Sequence, residues 1–217
     1  MPRPSTVVPA GAPAVAVAVT LAVALLSTGY VVGVRRSTPP APDETSVEVG
    51  FARDMSIHHS QAVNLAMLAY GRASSPAVRD LADDIVLAQQ REVGVMHGWL
   101  QQWGRPQSNT SPPMAWMAHA GATTPANAAA PTADTAMPGM IPDRAAAQLA
   151  VSRGHATDVL FCQLMLRHHL GGLHMISEVL KRSHRPEVVA MAIRMRSDQQ
   201  REVDLLQRLL SHLQTTP

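Results

Sequence analysis

Two histidine pairs are the side chains in this sequence best suited to chemistry. His58 and His59 close the stretch FARDMSIHH, and His168 and His169 close FCQLMLRHH, so Phe, Met and the paired His return at an offset of 110 residues. The offset runs without a gap to Leu100 and Leu210. Identical residues occupy 14 of the 50 aligned pairs, among them Gln89–Val93 against Gln199–Val203, which marks a duplicated unit rather than coincidence. Each copy places a thioether one helical turn from two imidazoles (Met55 and Met165). Thioether with imidazole is a soft to borderline donor set, suited to Cu(I) or Ag(I). The counts of 12 Met and 10 His make metal binding the first chemistry to weigh.

A helix positions these groups. At about 100° per residue, His58 and His59 fall about 60° to one side and about 40° to the other of Met55, so all three share a face with Phe51, Ala62 and Ala66. The facing stripe in the next helix contains Ala82, Ile85, Gln89, Val93, Met96 and Leu100, with Glu92 on its shoulder. The second copy repeats this with Gln199, Glu202, Val203 and Leu206. Glu92, Glu202, Gln89 and Gln199 are therefore expected as partners of the histidines or as alternative ligands, with Met96 beside them. A purely structural role competes with metal binding, because buried imidazoles need hydrogen-bond partners and Met commonly fills helical cores. The roles are compatible, since a ligating His normally gives its other nitrogen to a carboxylate.

The boundaries follow from breakers and caps. Helices are expected from about residue 45 to 72, from Ser75-Pro76 to about 103, from Pro142-Asp143 to about 183 with a break near Gly154, and from Arg185-Pro186 to about 213. Two hairpins, each too thin to bury its own apolar face, predict an all-α four-helix bundle over residues 44–213. Repeat 1 is 44–103 and repeat 2 is 142–213. The Pro/Ala/Thr-rich stretch 104–141 reads as a disordered linker. It carries Met114, Met117, His119, Met137 and Met140, which have no core to fill if the linker is disordered, and so are candidate linker ligands. Residues 37–43 form a shorter linker. Residues 1–36 hold an uncharged apolar run from 10 to 34, flanked by Arg3, Arg35 and Arg36. That run is expected to be a signal anchor, or a signal peptide if it is cleaved, which places the bundle in the cell envelope, membrane-anchored or secreted.

Several classes are excluded. The formal charge of +2, without basic runs interleaved with aromatics, gives no nucleic-acid face. The single Cys162 removes an internal disulfide and multi-cysteine metal sites. A di-iron bundle needs Glu-x-x-His on two helices, whereas Val95 and Leu205 stand three residues after Glu92 and Glu202. No catalytic nucleophile with a base is evident, so a binding protein is expected rather than an enzyme. A non-metal structural or partner-binding bundle with a His–Glu core remains the alternative.

FARDMSIHHSQAVNLA and DVLFCQLMLRHHLGGLHMI resemble the two signature helices of the bacterial DUF305 family, a ferritin-like four-helix bundle. MPGM before the third helix and the Trp99/Trp103 end of the second resemble it too. The resemblance covers roughly residues 44–213. It implies an exported or membrane-anchored protein and, for some members, copper binding and tolerance. Carried over by position, it nominates Met55, His58, His59, Met165, His168, His169 and Met175 as metal ligands, with a copper ion as the partner. Leu65 stands where the first motif usually has another Met. The second copy, from Met165 to Met175, is therefore expected to bind metal better than the first.

Overall fold

The computed structural model describes residues 12–37, 39–108, 111–117 and 137–215. Among them are six α-helices, one 3-10 turn and no strand: α1 (Ala12–Ser37), α2 (Val47–Tyr70), α3 (Pro76–Gln102), the turn Ala115–Met117, α4 (Asp143–Val151), α5 (His155–Arg182) and α6 (Pro186–Thr215). The chain divides into two units, Met1–Ala41 and Pro42–Pro217.

The first unit contains α1. Its described side chains, at 15 and 17–30, are all exposed, and Val17, Val19, Leu21, Val23, Leu25 and Leu26 lie among them. Such a helix has no polar face. Among the described residues, no helix is long and apolar enough to cross a membrane.

In the second unit, α2 packs along α3 and α5 along α6, joined by short turns that force antiparallel hairpins; α2 and α5 then face each other, while α3 and α6 barely touch. Ser46 starts α2 by accepting the Val49 N–H at 3.3 Å. Ser75 is the extended residue before α3, as its Pro76 demands, but its side chain makes no cap. The carboxylate of Asp158, from α5, accepts instead from the Ser74 and Ser75 N–H groups at 3.0 and 3.1 Å, tying the first hairpin's turn to the second hairpin. The break before α5 sits at Gly154, which adopts φ 59°.

The interior has two apolar ends. Phe51, Met55, Met96, Leu100 and Met175 pack at one. Leu65, Ile85, Phe161, Met165 and Leu206 pack at the other. The start of α2 thus meets the end of α5, so these two helices run antiparallel. His58 and His168 meet at the middle with ring centroids 3.8 Å apart and planes tilted by 36°. They are equivalent positions of the two copies, so the approximate two-fold relating the hairpins passes between these rings.

Of the stretch between the repeats, residues 104–108, 111–117 and 137–141 are described. Its described parts are folded onto the bundle. Trp116 is buried, with its ring edge-on to Phe51 at 5.9 Å between centroids. Its indole N–H and the Met114 N–H both donate to the buried Asp54 carboxylate, at 2.9 and 2.7 Å. Arg182 donates to the Met117 carbonyl at 2.6 Å. Met137 and Met140 are buried as well, so they do have a core to fill. One aromatic anchor, the buried Asp54 and the half-buried Arg182 hold these parts in place despite a composition rich in Pro and Ala. His119 lies outside the described residues.

Candidate metal centre

The four histidines of the two motifs form a buried layer between the apolar ends. His58, His59, His168 and His169 are each at most 1% exposed. The helical stripe explains this: a 3.6-residue period keeps positions 55, 58, 59 and 62 on the face that α2 turns inward. His59 donates through Nε2 to Glu92 at 2.8 Å, and its counterpart His169 donates to Glu202 at 2.5 Å. Both carboxylates reach solvent. Glu202 lines a cleft of about 460 Å³ between α3 and α6, and Glu92 lines one of about 180 Å³. The expected His–Glu pairs are thus present. Gln89 and Gln199 are buried in the same layer, but neither side-chain oxygen has a hydrogen-bond partner among the described residues.

The inner pair breaks the symmetry. His58 donates through Nε2 to the Pro138 carbonyl at 3.1 Å. Neither nitrogen of His168 makes a hydrogen bond of ordinary geometry. The cause is the segment Met137–Ile141, which runs once across the two-fold and meets its two sides differently. At position 61, Gln61 grips Ile141 through both its N–H and its carbonyl, each at 2.8 Å. At the equivalent position 171 there is only Gly171, where a Cβ would lie 2.1 Å from the Pro138 carbonyl oxygen. Gly172 is similarly close: a Cβ there would approach the Gln199 side-chain oxygen at 2.5 Å and the His58 ring at 3.3 Å. The sequence signal for these contacts is the Gly-Gly that follows the second His pair where the first copy has Gln61-Ala62.

The unpartnered buried nitrogens define what the centre can do. They are Nδ1 of His58, His59 and His169 and both nitrogens of His168. Where Nε2–H already donates, a neutral ring presents a bare Nδ1 lone pair. Each such buried group left unmatched costs about 1–3 kcal/mol. Burial pushes the His58 imidazole down to about 3, the neighbouring His59 adding to it and the Pro138 carbonyl opposing it. His168 is held well below its ordinary value by burial first, then by the imidazoles of His58, His169 and His59, which outweigh the small pull of the His58 backbone. Both rings are therefore neutral in the folded protein, the form that binds metal. Burial, with Asp158 adding, pushes the Cys162 thiol up to about 12, so no thiolate competes at neutral pH.

These two imidazoles set a pH dependence. In the unfolded chain they take up protons below about 6.5, whereas the folded chain refuses them until near 3 for His58. Their contribution is thus fully present above about pH 6.5 and declines as pH falls, by up to about 1.4 kcal/mol per pH unit for each ring. Urea unfolding at pH 7 and pH 5 is expected to show the loss; equal midpoints would contradict it.

The thioethers divide differently from the sequence expectation. Met175 joins Met55 and Met96 at one end, while Met165 packs with Leu65 at the other. Met165 and Met175 stand about 15 Å apart along α5, since each residue of a helix rises about 1.5 Å. The antiparallel packing thus places Met175 in the same cluster as the first copy's Met55 rather than with Met165. Among the described residues, no group of three or more His, Cys, Asp or Glu is arranged to hold a metal.

The profile of a domain of unknown function, DUF305, matches residues 48–210. The chain belongs to the DUF305 family. Among solved structures, the DUF305 protein from Streptomyces coelicolor is 34% identical, with a TM-score of 0.69 over 79% of this chain and 96% of that one. A DUF305 fragment from Deinococcus radiodurans is 30% identical, with a TM-score of 0.62 over 80% of this chain and 99% of the fragment. CopM, solved in a Cu(I)-bound form, is 22% identical with a TM-score of 0.57 over 79% of this chain and 97% of CopM, a likeness of fold alone. No curated protein sequence matches the chain. The DUF305 fold is thus shared across these proteins, and the two helices that carry the His pairs lie within the matched span.

Proposed function

We propose that this DUF305 chain is an extracytoplasmic metal-binding protein that holds copper, or silver, and acts as a buffer rather than an enzyme. One observation carries the reading: five ring nitrogens in one buried layer make no hydrogen bond of ordinary geometry among the described residues. Neutral imidazoles satisfied by a soft ion resolve that cost, and a monovalent ion of the copper group accepts two or three donors without a cage of carboxylates. His59 and His169, each backed by a carboxylate, have the arrangement that raises the basicity of a ligating ring. CopM, which shares the fold, is a protein solved with copper and with silver bound, and this agrees with the same ion class. A structural His–Glu core is the competing reading, favoured by the two His–Glu pairs themselves.

Competition with a chromogenic Cu(I) chelator tests the proposal. The full chain is expected to withdraw Cu(I) from the chelator at pH 7, and still at pH 5 where it stays folded, because the buried His58 and His168 rings remain neutral there. No withdrawal at any pH would end the copper reading. The uncharged apolar run of residues 10–34 and the exposed apolar side chains described in α1 are the features that favour an envelope anchor. Removing residues 1–36 is expected to move the protein from the membrane fraction to the soluble one, and continued sedimentation with membranes would contradict that.

A further inference from the structure

We propose that the open face between α3 and α6 is an interface for a second copy of this chain, joined about a two-fold axis. In a four-helix bundle each helix packs against two neighbours. Here α3 and α6 barely touch, and two clefts lie between them. Leu81, Ala88 and Leu205 line the larger, of about 460 Å³. Val95 and Met191 line the smaller, of about 180 Å³. Arg91 and Asp198 border both, so the clefts are two halves of one groove. Its apolar side chains are open to solvent, with Leu87 64% and Val95 41% exposed.

The charges select the occupant. Asp84 and Arg194 are exposed, and neither makes an ion pair among the described residues. They are equivalent positions of the two copies, at the offset of 110 residues. The approximate two-fold relating the hairpins therefore sets them on opposite sides of the groove's midpoint, Asp84 in the larger cleft and Arg194 in the smaller. A second copy turned about an axis perpendicular to the line joining them brings each Asp84 to the other copy's Arg194. Both ion pairs form together, as a self-complementary contact requires. Had both repeats kept Asp here, or both Arg, the same docking would oppose like charges. Nearer the midpoint, Arg91 and Arg201 stand among Glu92, Asp198 and Glu202, so neither sign dominates where the copies meet. The contact also covers Glu92 and Glu202, which closes the solvent side of the two His–Glu pairs.

Cysteine cross-linking and charge reversal in the full chain, held in mild detergent, test the proposal. Asp84 shares its cleft with Leu205, 11 residues beyond Arg194 on α6. That is about 16 Å along the helix, too far for a disulfide within one chain. The native Cys162 is buried and adds no background. Oxidation of Asp84→Cys/Arg194→Cys is expected to give a disulfide-linked dimer, and either single variant is expected to give little. Light scattering over a concentration series is expected to show a dimer of the parent chain. Asp84→Arg should weaken that dimer at least about tenfold, and Asp84→Arg/Arg194→Asp should restore it. Both positions are exposed, and helical circular dichroism checks that each variant folds. A monomeric parent overturns the proposal and leaves the groove to a different chain. A dimer that ignores Asp84→Arg, or that links no better through both cysteines than through one, overturns it too, since the copies then meet elsewhere.

Discussion

Gly171→Ala is expected to destabilise the protein by about 3 kcal/mol or more and to strip the Met137–Ile141 segment from α5. The Cβ would lie 2.1 Å from the Pro138 carbonyl oxygen and 2.5 Å from the Gly139 Cα. Both are backbone atoms, so no side chain can turn aside. Gly139 cannot yield either, because it sits at φ 81° with its own Cα face against the His168 carbonyl. The helix must move or the segment must leave. If it leaves, His58 loses its carbonyl partner and Met137 and Met140 become exposed. The comparison is Gly94→Ala in α3, where a Cβ meets nothing within 4 Å and removal of a helical glycine is worth roughly 0.5–1 kcal/mol of added stability. Urea midpoints of opposite sign for the two variants are the expected result, and a neutral Gly171→Ala would refute the close approach.

His168→Leu is the substitution that most sharply separates a binding role from a structural one. If His168 holds the core together, its loss should destabilise. Yet both of its nitrogens are buried without an ordinary hydrogen bond. Leu is close in volume and removes two unmatched polar atoms, each costing about 1–3 kcal/mol. The apo-protein is therefore expected to gain about 1–3 kcal/mol, and its loss of stability between pH 7 and pH 5 should shrink. Nitrogen-bound metal should weaken at least tenfold. Stability and metal affinity would then move in opposite directions, as for a site kept at a cost to folding. A variant both less stable and unchanged in metal binding would favour the structural core.

Much of this arrangement is legible in the residues themselves. The offset of 110 residues and the 3.6-residue stripe place the four histidines inward, and Ser75-Pro76 and Arg185-Pro186 mark the turns. Glu92 and Glu202 are legible as partners because they occupy the shoulder of the facing helix. What sequence cannot display is how the copies meet. An antiparallel pairing of α2 with α5 brings Met55 to Met175 rather than leaving each copy with its own Met set. The segment Met137–Ile141 is concealed for another reason: its fold depends on a single gap at Gly171 and on the grip of Gln61, contacts spanning 33 and 80 residues of chain. Trp116 and Asp54 likewise meet across 62 residues, which local composition does not encode.

The central claim is that the buried imidazole layer holds a soft ion, and thermal unfolding of the full chain with added Cu(I) tests it most directly. A ligand bound only by the folded state, present at about a hundred times its Kd, adds about 2.7 kcal/mol, or roughly 5–10 °C in Tm for a domain of this size. The account predicts such a rise in the parent chain and a clearly smaller one in His168→Leu. A Tm unmoved by saturating Cu(I), or raised equally in both proteins, would contradict it.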